Sequence, residues 1–162
     1  MMNEPLQETL MRFRTVQDIL DWTRTYHHHL AEGYRQLSGS SSRERARMLL
    51  DYLADHQEKL ERGIREYETD AADKLLRTWF QDVRETPLPE SLDKADQTLR
   101  DADTPQIMYM AMEFHDVLIR LYTDLARQAP TGDLRQLFTG LADMENHEKM
   151  RMVRDAMRFE DL

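Results

Sequence analysis

Two histidines, His27 and His115, and two glutamates one helical turn apart, Glu145 and Glu148, are the side chains of this 162-residue chain best suited to do chemistry together. Two imidazoles and two carboxylates suit a divalent transition metal, which takes nitrogen and oxygen donors of that kind. Gln57 could add a weak ligand, or a hydrogen bond to a ligand from behind. The same side chains could instead pair imidazole with carboxylate and hold no metal, since buried polar groups need only be paired or hydrogen-bonded. Both readings require residues far apart in sequence to meet.

Helices must arrange that meeting, and four segments carry amphipathic helical periodicity. The first spans about Val16 to Leu37, opened by Thr15 with Asp18 three residues on, and should stop at Ser38-Gly39-Ser40-Ser41-Ser42. The second follows at once, with Ser41 and Glu44 as a capping pair, and runs past Tyr67. The third starts at Thr104 as its cap, with Pro105 in the first helical position, and ends near Gln128. The fourth opens with Asp133 and Gln136 as cap and third-position pair and continues to about Arg158. Residues 69–104 form a crossover in which Leu75, Leu76, Trp79, Phe80 and Val83 extend the second helix or make another. Pro87 and Pro89 then break the chain, and a short helix from Glu90 to Arg100 can follow. The fold class is therefore all-α, a four-helix bundle of two hairpins joined by a long crossover, with residues 1–162 as one domain.

Stepping along each helix by alternating fours and threes picks out the side that faces the bundle interior. Each seam is apolar except near its middle: His27 in the first helix, Gln57 in the second, His115 in the third, Glu145 and Glu148 in the fourth. Antiparallel hairpins put those middles at one depth, so the five should converge in one interior layer. The halves also repeat. Displacing the chain by 88 residues makes nine of the 29 positions from 27 to 55 identical, laying His27 on His115, Tyr34 on Tyr122 and Leu53-Ala54-Asp55 on Leu141-Ala142-Asp143. Tyr34 and Tyr122 sit two turns beyond the histidines and should cap the edge of the polar layer with their hydroxyls.

Composition narrows the partners. Lys plus Arg number 22 against 31 Asp plus Glu, a formal charge of −9, which disfavours nucleic acid or an anionic membrane as partner. The absence of cysteine excludes disulfides, thiol catalysis, iron–sulfur clusters and Cys-based zinc sites. No stretch has the length of a membrane span, and Met1 to Phe13 holds no apolar export core, so a cytoplasmic location is expected. No phosphate loop or Ser/His/Asp arrangement appears, and no catalytic residue is assigned.

The stretch Ala111-Met112-Glu113-Phe114-His115, with Tyr122-Thr123-Asp124-Leu125-Ala126 and Leu141-Ala142-Asp143-Met144-Glu145, resembles the ferritin-like superfamily, nearest to rubrerythrin-type proteins. The resemblance covers the two hairpins and implies a ferritin-like bundle carrying a Glu on the first helix of each hairpin and Glu-x-x-His on the second, around two irons. By register, the first-helix Glu positions are occupied here by His27 and His115, and the Glu-x-x-His pairs fall at Gln57 with Leu60 and at Glu145 with Glu148. What this implies is a redox or metal-handling protein with at most one well-formed site, for iron or else manganese or zinc, and a homodimer. The alternative is a non-catalytic interaction or scaffold protein with a vestigial site. Of the remaining histidines, His28 and His29 should be solvated, while His56 and His147 flank the seam and could swing in.

Overall fold

The computed structural model describes residues 15–79 and 100–160. Five helices lie in them: α1 Val16–Ser40, α2 Glu44–Asp70, α3 Asp73–Leu76, α4 Thr104–Gln128 and α5 Gly132–Glu160. The duplication is written in their ends. Moving α1 along by 88 residues gives the first and last residues of α4, and the first residue of α2 lands on that of α5.

α1 opens as expected. The Thr15 side chain accepts the Asp18 N–H at 3.2 Å and the Asp18 carboxylate accepts the Thr15 N–H at 3.0 Å, so a donor at the helix start is satisfied in each direction. The helix ends later than the serine run suggests. The Ser41 N–H still reaches the Leu37 carbonyl at 2.9 Å, and buried Ser38 donates to the Arg47 carbonyl at 3.4 Å. This extra turn prevents the expected Ser41–Glu44 cap. α2 begins with Arg43 in the capping position and no side-chain cap, while the Ser41 hydroxyl accepts the Arg43 N–H at 3.3 Å.

In the second hairpin the caps sit one or two residues earlier than predicted. Asp103 rather than Thr104 caps α4, paired with Gln106 at 2.9 and 3.0 Å, with Pro105 in the first turn. At α5 the Thr131 hydroxyl, not Asp133, accepts the Leu134 N–H at 3.3 Å. Of the crossover, α3 and residues 77–79 are described. The Thr78 carbonyl accepts the Val16 N–H at 3.0 Å and Thr15 bridges Trp79, which ties the start of the first hairpin to the chain leaving it. The further helix expected from Glu90 lies outside the described residues except for its last position, Arg100, which is in a turn.

The seams close much as the four-three stepping predicts. Every seam residue of α1 is buried, as are those of α2 except Tyr67, of α4 except Met108 and of α5 except Glu148. Large side chains among them, such as Leu20, Leu53 and Phe138, each contribute about 1.5–3 kcal/mol by leaving water. Packing is densest within each hairpin, and α2 also touches both helices of the other one. The Tyr26 hydroxyl donates to the Phe114 carbonyl at 3.0 Å, a bond between equivalent positions of the repeat.

The tyrosine expectation fails for Tyr34. Tyr34 and Tyr122 are fully buried, and the Tyr34 hydroxyl has no hydrogen-bond partner among the described residues. Near Tyr122, Thr23 donates its own hydroxyl to the Ile19 carbonyl at 3.0 Å and leaves its oxygen toward the phenol. The two rings serve packing, and burial pushes both phenol pKa values up.

Candidate metal centre

His27 faces Gln57 across the first hairpin, and His115 faces Glu145 across the second. Each pair is 30 residues apart, and in each the imidazole Nδ1 meets a side-chain oxygen: Gln57 Oε1 at 2.6 Å and Glu145 Oε2 at 2.9 Å. The repeat therefore reproduces one hydrogen bond nearly atom for atom. A third bond joins the halves and breaks their symmetry, His27 Nε2 to Glu145 Oε1 at 2.9 Å. The equivalent nitrogen, His115 Nε2, is buried without a partner. None of the four side chains is more than 1% exposed.

Proton placement follows from the acceptors. Both His27 nitrogens face oxygens, so with the Gln57 carbonyl turned toward it the ring needs two protons and is an imidazolium. Burial alone would lower the His27 pKa, but the Glu145 carboxylate, its hydrogen bond and that of Gln57 raise it above the usual value. Burial likewise works to raise the Glu145 pKa, yet the His27 charge and bonds from His115 and His27 bring it down to about 2. The layer is thus a neutral ion pair, His27 with Glu145, that also accepts a proton donated from His115 Nδ1. Tyr26 packs edge-on against the His27 ring, 6.1 Å between centroids, and helps to keep water out.

Four of the five seam residues meet, and Glu148 does not join them. Its side chain is 22% exposed and lies between Arg151, 3.6 Å from Oε1, and His56, whose Nδ1 is 3.6 Å from Oε2. The register explains it. At about 100° per residue, a step of three from Glu145 turns Glu148 some 60° around α5, to the edge of the buried stripe. His56 is the residue that strict stepping leaves beside the seam. It is 7% exposed, stacked on Tyr52 and 5.7 Å from the His115 ring. A signal for it existed: Leu49, one heptad earlier on α2, is also outside the seam and fully buried. His147 stays outside, donating from Nδ1 to the Asp143 carbonyl at 2.9 Å, and His28 is exposed between Glu32 and Glu61. His29 is half-buried. Among the described residues, no three or more His, Asp or Glu side chains stand as a ready-made cage for an ion, because these donors are engaged with one another.

The charge pattern predicts how metal-free protein responds to pH. Glu145, moved from 4.5 to about 2, stabilises above pH 4.5 and loses that contribution as pH falls toward 2. His27, raised from 6.5, contributes fully below pH 6.5 and loses its contribution as pH rises through its raised value. The two describe one interaction. His56, held down to about 4 chiefly by its burial, resists protonation, so stability also falls as pH drops from 6.5 to 4. Urea unfolding across the pH range should show greatest stability near pH 6.5, declining on both sides. A profile still rising toward alkaline pH would contradict the assigned charges.

No family model and no curated protein matches the chain. The structure is similar to a solved one from Thermotoga maritima, of a protein described as ferritin-like and of the diiron-carboxylate kind, with TM-score 0.61 and 16% identity over 91% of this chain and 97% of that one. Helix order, the paired hairpins and this likeness agree, and the chain has the fold of a ferritin-like helical bundle.

Proposed function

We propose that this protein binds a single divalent transition metal ion between its hairpins, through His27, His115 and Glu145, and serves in redox or metal handling as a rubrerythrin-like protein. The observation that carries the reading is Glu145, a fully buried carboxylate with one imidazole from each hairpin on each of its oxygens. A buried ion pair is a poor way to hold helices together, since hydrocarbon of similar volume does as well or better. Polar side chains at the centre of otherwise apolar seams support a chemical role over simple helix packing.

A two-iron carboxylate centre does not fit these residues. The layer holds one carboxylate, with a neutral amide at Gln57 and hydrocarbon at Leu60 where the resemblance would put Glu and His. Two imidazole nitrogens and one carboxylate do suit a single ion. His27 would release its Nε2 proton, while the Gln57 oxygen keeps the Nδ1 proton and fixes the ring, a customary arrangement behind a ligating histidine. With Nδ1 on the ion, His115 would carry its single proton on Nε2. Bound there, iron or manganese would supply a redox centre and zinc a Lewis acid.

Anaerobic addition of Fe(II), Mn(II) or Zn(II) to chelator-treated protein without a His-tag, followed by desalting and elemental analysis, should leave one ion per chain. His27→Leu or His115→Leu should reduce it to background. Wild-type protein that retains nothing would overturn the reading. A second reading, a metal-free interaction or scaffold protein, is favoured by the way His27, Glu145 and Gln57 satisfy each other, and it predicts a melting temperature unaffected by chelator or metal.

A further inference from the structure

His56 is an imidazole that the packing does not account for. It is 7% exposed, its Nε2 is buried with no hydrogen-bond partner, and its Nδ1 stands 3.6 Å from Glu148 Oε2, beyond hydrogen-bond length. A buried imidazole nitrogen with no partner is costly where leucine would fill the space. Its surroundings are organised around it. Tyr52 stacks on the ring and is itself held by donating to Asp155 at 2.9 Å. Arg151 engages Glu148 Oε1 and leaves Oε2 toward the imidazole.

These residues line an open groove of about 480 Å³ between α2 and α5. On its walls the carboxylates of Asp55, Glu148 and Asp155 stand beside the cations of Lys59 and Arg151, and Arg35 pairs with Asp55 at 2.8 Å, which leaves Glu148 Oε2 as the carboxylate oxygen facing the imidazole. Behind His56 lies His115, whose Nε2 is also buried and unpartnered, with ring centroids 5.7 Å apart. From solvent inward the order is Glu148, His56, His115, Glu145, two nitrogen donors between two oxygen donors.

We propose that this groove admits a divalent transition metal ion, and that His56 and Glu148 form a two-ligand stopping place from which the ion passes to His115 and the inner layer. The inference rests on the inner site proposed above. Bonds of about 2.0–2.2 Å to nitrogen and oxygen span the 3.6 Å gap with the ion between them. Two protein ligands, the rest being water, hold an ion loosely enough to hand it on. The inner donors, at most 1% exposed, need such a route.

Cobalt(II) uptake by chelator-treated full-length protein, followed by its visible absorption in a stopped-flow mixer, tests the idea. Glu148→Gln, at a partly exposed position that leaves the fold intact, and His56→Phe should each slow uptake by roughly tenfold or more while one ion per chain is still bound at the end. His147→Ala, on the outer face of α5, should take up cobalt at the wild-type rate. Wild-type rates in both groove variants would overturn the route and leave the inner site standing. Loss of the ion from those variants would overturn it too, by making His56 and Glu148 part of the resting site. No cobalt uptake by wild-type protein would remove the inner site, and the route with it.

Discussion

In metal-free protein, Glu145→Ala is expected to lower the unfolding free energy by about 3–5 kcal/mol, a large part of the roughly 5–15 kcal/mol that holds a domain of this kind together. The carboxylate is fully buried and balances the His27 imidazolium, so its removal leaves a charge with no partner in a water-free layer. His115 Nδ1 loses its acceptor at the same stroke. Glu145→Gln keeps the shape and one acceptor oxygen and should cost less. Urea unfolding at pH 6.5 checks both. A loss below about 1 kcal/mol for the alanine variant would mean that His27 carries no charge in the folded protein.

The second large effect has the opposite sign. Replacing the whole layer with hydrocarbon of similar volume, through His27→Leu, Gln57→Met, His115→Leu and Glu145→Met together, should leave the fold intact. Stability should be unchanged or greater by about 1–4 kcal/mol, while metal retention is abolished. The contrast is the informative part. Removing one member exposes the cost of an uncompensated charge, whereas removing all four removes that cost along with the function. Unfolding curves and elemental analysis of the same sample give both answers. A replaced layer that melts well below wild type would show the polar groups to be structural.

Much of this was legible in the sequence, for an identifiable reason. Apolar residues at four-three spacing must face a common core, and in a duplicated hairpin the register of one half fixes that of the other. Hence the spacing alone puts His27, Gln57, His115 and Glu145 in one layer, and the ends of α1 and α4 match to the residue. What escaped sits at the edge of that logic. Glu148 obeys the stepping but lies far enough around α5 to turn its long side chain outward, and His56 breaks the stepping yet is buried because α2 hides a broader face than a two-position stripe. The caps of α4 and α5 slipped by one or two residues because Thr104 and Asp133 each have a nearby residue equally able to accept an N–H. In the case of Ser41, the longer α1 decided the choice. The hydroxyl of Tyr34 has no partner among the described residues because ring packing outweighs one hydrogen bond.

X-ray diffraction from metal-soaked crystals, with data collected on both sides of the metal's absorption edge, tests the central claim most directly. The account predicts one anomalous peak per chain, bonded to His27 Nε2, Glu145 and His115 Nδ1, with Gln57 still bonded to His27 from behind. Two peaks bridged by carboxylates, or a peak on the outer surface with His27 still bonded to Glu145, would contradict it.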